Sequence, residues 1–293
     1  MPRTLAVALP DLPELADHSI QGKATVPAAW LLDLLVRTAT EQNTDQAASP
    51  ATFPLVMREA LFPRFLPTDE VGQCTFEVAL DDVDAKDAQA RTRVTLTSRI
   101  ALAGGICRTR THAAVTLGGQ MTTLPLPMAT IDCDLELSAE RAYAELIPFG
   151  PRYRNLRGAI RLGRAGGTGW VGSPEPAGPQ PSRAGCPHLF DSAMHLACLW
   201  GQRYAGIVAY PTGFSARAIT LPLAHGQRRC IVVPKSVSGS VGLADSSRAL
   251  TFDLWLTDEN HRVCDAIVGL AMVPLTRGAQ PPAWIVQPPK RTP

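Results

Sequence analysis

Hydrophobic and polar positions change period at recognisable points along the chain. A helical period runs from Pro27 to about Glu41, where Trp30, Leu31, Leu34 and Leu35 fall at i, i+1, i+4 and i+5 on one apolar face. Pro27 suits the first position of a helix, and Thr25 lies just upstream. The polar stretch Gln42–Pro50 ends the pattern. A period of two follows in four strand-like runs, Phe53–Phe62, Val71–Leu80, Arg91–Ala101 and Ile106–Leu117. The third alternates well: Val94, Leu96 and Ser98 face one way, Thr95, Thr97 and Arg99 the other. Asp81–Asp87 and Gly104–Gly105 read as turns between antiparallel neighbours, so the second and third runs form a hairpin.

Gly118 to about Leu137 carries Gly-Gly and Leu-Pro-Leu-Pro with few charges and reads as a connector. The same grammar then returns. A short strand, Leu156–Leu162, precedes a Gly-, Pro- and Ser-rich loop from Trp170 to Pro187. A second helix spans Pro187 to about Tyr204, with Phe190, Met194, Ala197 and Cys198 as its apolar side. Strand-like runs follow at Phe214–Leu221, Arg229–Val237, Leu250–Thr257 and Arg262–Val273, the last two joined by a turn at Asp258-Glu259-Asn260. Each half is thus one apolar helix followed by about four antiparallel strands, an α+β arrangement with a helix buried against a curved sheet. No residue identity between the halves is visible, so the repeat is architectural. The expectation is two units, 1–130 and 131–293, forming a pseudo-dimer within one chain.

Composition sets bounds on function. The 293 residues are 45% hydrophobic and 18% charged, which is ordinary for a globular chain able to bury a core. A net charge of +2 gives no case for nucleic acid or a membrane surface as partner. No apolar run reaches the roughly 18 residues of a spanning helix. The best stretch, Val26–Val36, is short and contains Asp33. Pro10 and Asp11 end the N-terminal apolar patch before a signal sequence can form, so the expectation is a soluble cytoplasmic protein. The seven cysteines (Cys74, Cys107, Cys133, Cys186, Cys198, Cys230 and Cys264) are scattered, odd in number and without C-x-x-C. They read as reduced, small apolar side chains, not as a disulfide framework or zinc ribbon.

Three clusters carry chemistry. His18, Gly22 and Pro27, spaced H-x-x-x-G-x-x-x-x-P, lie directly before the first helix. Imidazole exchanges a proton near neutral pH, glycine permits a tight turn, and the first N–H groups of a helix are unpaired. A base beside such a helix start can take a proton from a carbon next to a carbonyl while the Ala28 N–H holds the developing oxyanion. A histidine structural to its turn fits the same spacing. The second cluster, Tyr143 and Phe149-Gly150-Pro151-Arg152-Tyr153, suits the wall of a narrow channel or a loop anchored by aromatic rings. In the third, Cys186 to His195, Asp191 and His195 lie at i and i+4 on one helix face, with Cys198 continuing it. A carboxyl half-buried at the edge of a core has its pKa raised and can protonate a leaving hydroxyl. An Asp–His surface pair has the same spacing.

Together these clusters resemble the dehydratase domains of polyketide synthases and the related animal fatty acid synthase. The three signatures read His18-Ser-Ile-Gln-Gly22-Lys-Ala-Thr-Val-Pro27, Phe149-Gly150-Pro151-Arg152-Tyr153 and Asp191-Ser-Ala-Met-His195, in the family's order. The resemblance covers nearly the whole chain and implies a double hotdog fold. It also implies dehydration of a β-hydroxyacyl thioester to the α,β-enoyl thioester. His18 is then the base for the α-carbon and Asp191 the group that protonates the β-hydroxyl. His195 orients Asp191 or the hydroxyl, and Ala28 stands where the family often has glycine. The site would lie in an apolar tunnel between the two hotdogs. The substrate would arrive on the phosphopantetheine arm of an acyl carrier protein, with no metal, nucleotide or flavin. A homodimer is a further expectation of the resemblance. Phe149 stands where tyrosine is usual, Tyr153 where phenylalanine is usual, and Cys186 where histidine is common. These departures bear on substrate preference more than on reaction type.

Arg152, Arg154, Arg157, Arg161 and Arg164 form a basic run suited to an acidic carrier protein, and equally to an ordinary solvated face. Gly167-Thr-Gly169-Trp-Val-Gly172 fits G-x-G-x-x-G, but Ser-Pro-Glu-Pro follows it where a dinucleotide site needs a helix. Rival readings on the same fold are a product-template-like cyclase, a double-bond isomerase and a non-catalytic acyl-binding module.

Overall fold

A computed structural model describes residues 3–9, 13–42, 53–72, 74–83, 91–101, 106–121, 125–127, 131–174, 184–221, 226–238, 249–275 and 279–286. Expectations for 43–50, 84–87 and 104–105, and for parts of the connector (122–124, 128–130) and of the long loop (175–183), fall outside these residues.

The chain opens with β1 (Arg3–Val7), β2 (Ser19–Ile20), β3 (Lys23–Val26) and helix α1 (Ala28–Gln42). Strands β4 (Leu55–Leu61), β5 (Leu66–Pro67), β6 (Thr75–Val83), β7 (Arg91–Ala101) and β8 (Cys107–Gly118) complete the first half. The second half contains β9 (Leu135–Ser138), α2 (Ala139–Glu145), β10 (Leu156–Gly163), β11 (Gly166–Val171) and α3 (Pro187–Trp200). It ends with β12 (Ala209–Ile219), β13 (Arg228–Ser238), β14 (Ala249–Thr257) and β15 (Val263–Pro274).

Twelve strands form one antiparallel sheet in the order β1-β6-β7-β8-β4-β12-β15-β14-β13-β11-β10-β9. The first five belong to the N-terminal half and the other seven to the C-terminal half, and the pairing of β4 with β12 joins them. Helix α1 packs on β6, β7 and β8, α3 packs on β10, β11 and β13, and the two helices touch each other. Each helix therefore meets its own half-sheet on one side and the other helix on the other. That explains why α3 is buried at every position but Cys198.

The structure departs from the sequence reading in several places. Pro27 precedes α1 as its cap: its carbonyl accepts from Trp30 N and Leu31 N at 3.0 and 3.2 Å, so the helix starts at Ala28. Helix α3 keeps α geometry to Trp200 and then makes one π turn, Gly201–Ala205. Val71 ends a single helical turn, Thr68–Val71, and does not start a strand. Trp170 lies in β11, not in a loop. Strand β11 escapes the pattern because three of its six residues are glycine, and packing demands them. A Cβ at Gly166 would lie 2.3 Å from the Val232 carbonyl oxygen, and one at Gly167 2.8 Å from Leu162 Cδ2. The G-x-G-x-x-G run is thus mostly strand. Strands β1 and β9, the β2–β3 hairpin and α2 were also unread, each being short. Among the described residues no helix is long and apolar enough to cross a membrane. All seven cysteines are unpaired.

Candidate active site

His18 stands at the open end of a tight hairpin. Strands β2 and β3 pair Ser19 with Ala24 and Ile20 with Lys23, so two residues make the turn. Both Gln21 (φ 52°) and Gly22 (φ 77°) are left-handed, the requirement of a type I′ connection, and this is the work of Gly22. Thr25 N donates to the His18 carbonyl at 2.8 Å, and His18 Nδ1 lies 2.8 Å from the Thr25 carbonyl. A carbonyl only accepts, so Nδ1 carries the ring proton and Nε2 keeps its lone pair. Burial pushes the His18 pKa below its ordinary value, against the opposing pull of Asp191. The imidazole is therefore neutral near pH 7.

Phe149 reaches His18 from the other half and stacks on it, ring centroids 4.4 Å apart at 25°. Its loop is held by Asp17, the residue before His18. Gly150 N donates to the Asp17 backbone carbonyl at 2.7 Å, and Arg152 N donates to Asp17 Oδ2 at 2.9 Å. A Cβ on Gly150 would lie 2.3 Å from Asp17 Oδ1, so this position is glycine for close approach. Tyr153 is fully buried, with its ring 5.0 Å from His18 and 5.2 Å from His188.

Asp191 and His195 project from one face of α3, 4% and 5% exposed. Asp191 is buried outright, not half-buried at a core edge. Its Oδ1 lies 4.0 Å from His18 Nε2, and its Oδ2 lies 3.0 Å from His195 Nε2. The latter approach lacks the alignment of a hydrogen bond, so Oδ2 and Nε2 both keep capacity for a further partner. Burial acts to raise the Asp191 carboxyl, but His195 facing it, aided by His18 and His188, outweighs burial and holds it below the usual carboxylate value. This corrects the expectation that burial keeps the acid protonated: the surrounding imidazoles decide the balance.

Tyr143, on α2, completes the arrangement. Its oxygen accepts from Leu156 N at 2.9 Å and lies 3.1 Å from His195 Nδ1. Burial pushes its phenol well up, so the hydroxyl stays protonated. The hydroxyl can donate to His195 Nδ1 or accept from it, so it anchors the ring in either tautomer.

His18, Gly22, Pro27, Ala28, Phe149, Asp191 and His195 line one cavity of about 980 Å³ between the halves. Ala28 is the first residue of α1, and its N–H belongs to the unpaired first turn. Gly150, Pro151 and Tyr153 do not line this cavity; they hold Phe149 and His18 from behind. Asp17 went unread because its side-chain partner Arg152 lies 135 residues away. Three arginines of the basic run have hydrogen-bond partners. Arg161 pairs with Glu136 at 2.8 Å, Arg154 Nε donates to the Phe149 carbonyl, and Arg157 donates to Asn155 Oδ1. Among the described residues no three or more His, Cys, Asp or Glu side chains are arranged to hold a metal ion.

The sheet and its two buried helices make a double hotdog, with a histidine from one half and a carboxylate from the other facing one cavity. Solved structures share this fold. The dehydratase domain of RzxB from Pseudomonas fluorescens matches with a TM-score of 0.70 at 15% identity, over 93% of this chain and 94% of that one. The dehydratase domain from the CurJ module of curacin polyketide synthase matches with a TM-score of 0.67 at 18% identity, over 94% and 91%. The dehydratase domain of PpsC from Mycobacterium tuberculosis, in complex with C12:1-CoA, matches with a TM-score of 0.62 at 18% identity, over 94% and 93%. At these identities the likeness is one of fold. No protein-family model and no curated protein matches the chain.

Proposed function

We propose that the protein is a 3-hydroxyacyl-[acyl carrier protein] dehydratase that removes water from a β-hydroxyacyl thioester, as in polyketide or fatty-acid-like biosynthesis. The observation that carries this reading is the neutral His18 Nε2 held 4.0 Å from Asp191 Oδ1 in a buried cavity. An α-proton is weakly acidic and hydroxide leaves poorly, so one group must accept a proton while another donates one. General acid–base help supplies roughly 10²- to 10⁴-fold, and an oxyanion donor a comparable factor.

The thioester carbonyl sits against the Ala28 N–H at the start of α1. His18 Nε2 takes the α-proton. For this step the Asp191–His195 pair enters with one proton beyond a carboxylate and a neutral imidazole; the C–O bond breaks as the β-oxygen takes that proton, and water leaves. His18 then carries one proton too many and the pair one too few. At 4.0 Å His18 and Asp191 stand too far apart for direct transfer, so that proton returns through one bridging water once product has gone. Base, acid and oxyanion donor all come from the chain, so the reading calls for no metal, nucleotide or flavin. The base belongs to the half 1–130 and the acid to the half 131–293. The partner is an acyl carrier protein presenting the substrate on phosphopantetheine, and the C12:1-CoA of the PpsC structure supports an acyl thioester as ligand class. A cytoplasmic setting fits the seven unpaired cysteines.

The test uses synthetic 3-hydroxyacyl thioesters of several chain lengths and both hydroxyl configurations, with enoyl product followed by ultraviolet absorbance and mass. Turnover is expected from the wild type and is abolished in His18→Ala and Asp191→Asn, each melting near wild type. Unchanged substrate across the whole series would overturn the reading.

A further inference from the structure

The cavity continues past the catalytic pair to a polar group that the dehydration does not use. Gln202 lies in the π turn after α3, seven residues beyond His195 and four beyond Cys198, and it lines the same cavity. At 1.5 Å per residue, Gln202 stands about 10 Å along the helix axis from His195. π turns are rare and recur at functional positions. The side chain is 1% exposed. Its Nε2 donates to the Leu146 carbonyl at 3.1 Å and approaches Cys198 Sγ at 3.7 Å. That bond fixes the amide's orientation, because a flipped amide would set two acceptors face to face. The Gln202 Oε1 is then a buried acceptor that accepts from no group among the described residues. Leu146, Val208 and Met272 line the same cavity and have apolar side chains. A buried amide oxygen left unpaired among them costs free energy that a ligand donor recovers.

From this we infer that Gln202 is a specificity-determining residue of an acyl-chain subsite, where its Oε1 accepts a hydrogen bond from a hydroxyl carried on the outer part of the chain. The inference rests on the dehydratase reading for the direction of the substrate. We place the thioester at Ala28 and the β-hydroxyl at Asp191, so that the chain beyond the hydroxyl runs along α3 past His195 to Gln202. The group that meets Gln202 therefore belongs to the acyl chain and not to the carrier arm. The favoured substrate is an oxygenated chain, not a plain alkyl one.

The test separates this inference from the dehydratase reading by measuring binding without turnover. Acyl-pantetheine thioethers, in which a methylene replaces the thioester carbonyl, have no acidified α-proton and are not dehydrated. Calorimetry with wild-type protein compares a methyl-ended 3-hydroxyalkyl chain with chains of equal length bearing one further hydroxyl, moved carbon by carbon along the outer half. One position is expected to tighten binding about tenfold, and Gln202→Met is expected to erase that gain. Should Gln202→Met fail to fold, Gln202→Asn draws the same amide back by one methylene and serves in its place. No gain at any position, a gain that survives in the variant, or no binding by any member of the series overturns the inference. Turnover of the methyl-ended thioester without any hydroxyl preference sinks the inference and leaves the dehydratase standing. A Gln202-dependent preference without turnover of any thioester sinks the dehydratase reading and, with it, the assignment of this subsite to the outer acyl chain.

Discussion

At the scale of single residues, the proposed reaction assigns the site two proton-transfer tasks, and environment separates the groups that would carry them. His18 is buried and its Nδ1 is committed to the Thr25 carbonyl, so Nε2 is kept as a base. Its pKa lies below the ordinary 6.5 because burial outweighs the nearby carboxylate. Proton uptake at Nε2 removes the lone pair, so the acid limb of kcat/KM is expected below pH 6.5, and a pH–rate profile checks this. The same shift makes the folded state lose stability as pH falls below 6.5, since the unfolded chain binds a proton that the folded one resists. Denaturant midpoints across that range should fall less in His18→Ala. Tyr143 offers a second test. In Tyr143→Phe the Leu156 N–H loses its acceptor and His195 Nδ1 loses its partner. Stability should drop by about 1–3 kcal/mol, and kcat by about tenfold with KM little changed. A fall in stability with kcat intact would show that Tyr143 serves only the fold.

At the scale of elements, the two motif loops are built as one unit. The β2–β3 hairpin supplies His18, and the Phe149 loop is tied to it through both the backbone and the side chain of Asp17. Two glycines in these loops are glycine for different reasons, which predicts different costs. Gly22→Ala keeps open space around its Cβ and carries only the left-handed penalty, about 1–2 kcal/mol. Gly150→Ala drives a methyl to 2.3 Å from Asp17 Oδ1, so Asp17 must move and the Phe149–His18 stack with it. Activity should therefore fall at least tenfold further in Gly150→Ala than in Gly22→Ala, measured as kcat/KM beside thermal melting. Equal losses would mean that the loops act independently.

This level also marks the limit of what the sequence made legible. The core helices and the long strands β6, β7, β8, β14 and β15 were readable because each carries its own hydrophobic period. The glycine-rich β11 was not, because close packing against Val232 and Leu162 suppresses that period. The site motifs were readable as spaced residue types. Asp17 and Gln202 were not, because each takes its role from contacts far away in the chain.

At the scale of the whole molecule, the proposed reaction needs the two halves held in one register, and β12 is where they meet. It pairs with β4 of the first half and β15 of the second. Phe214 on β12 contacts Phe62 from one half and Phe190 from the other, at 6.3 and 6.1 Å between ring centroids. Arg217, also on β12, is 1% exposed and pairs with the fully buried Asp265 through bonds of 2.6–3.1 Å. Its guanidinium carbon lies 4.1 Å over the ring of Phe190, the residue before Asp191. The ion pair thus backs the stretch of α3 that carries Asp191. Removing one partner leaves the other charged, buried and unpaired, so Arg217→Met should cost about 3–5 kcal/mol. Replacing both, as Arg217→Met with Asp265→Leu, removes the orphaned charge and should recover most of that loss. The double variant nevertheless lacks the guanidinium over Phe190, so its stability should return while kcat stays below wild type. Denaturant titration and turnover of the same variants check both halves of this expectation. A single variant within 1 kcal/mol of wild type, or a double variant with full kcat, would show that the pair supports neither the junction nor the placement of Asp191.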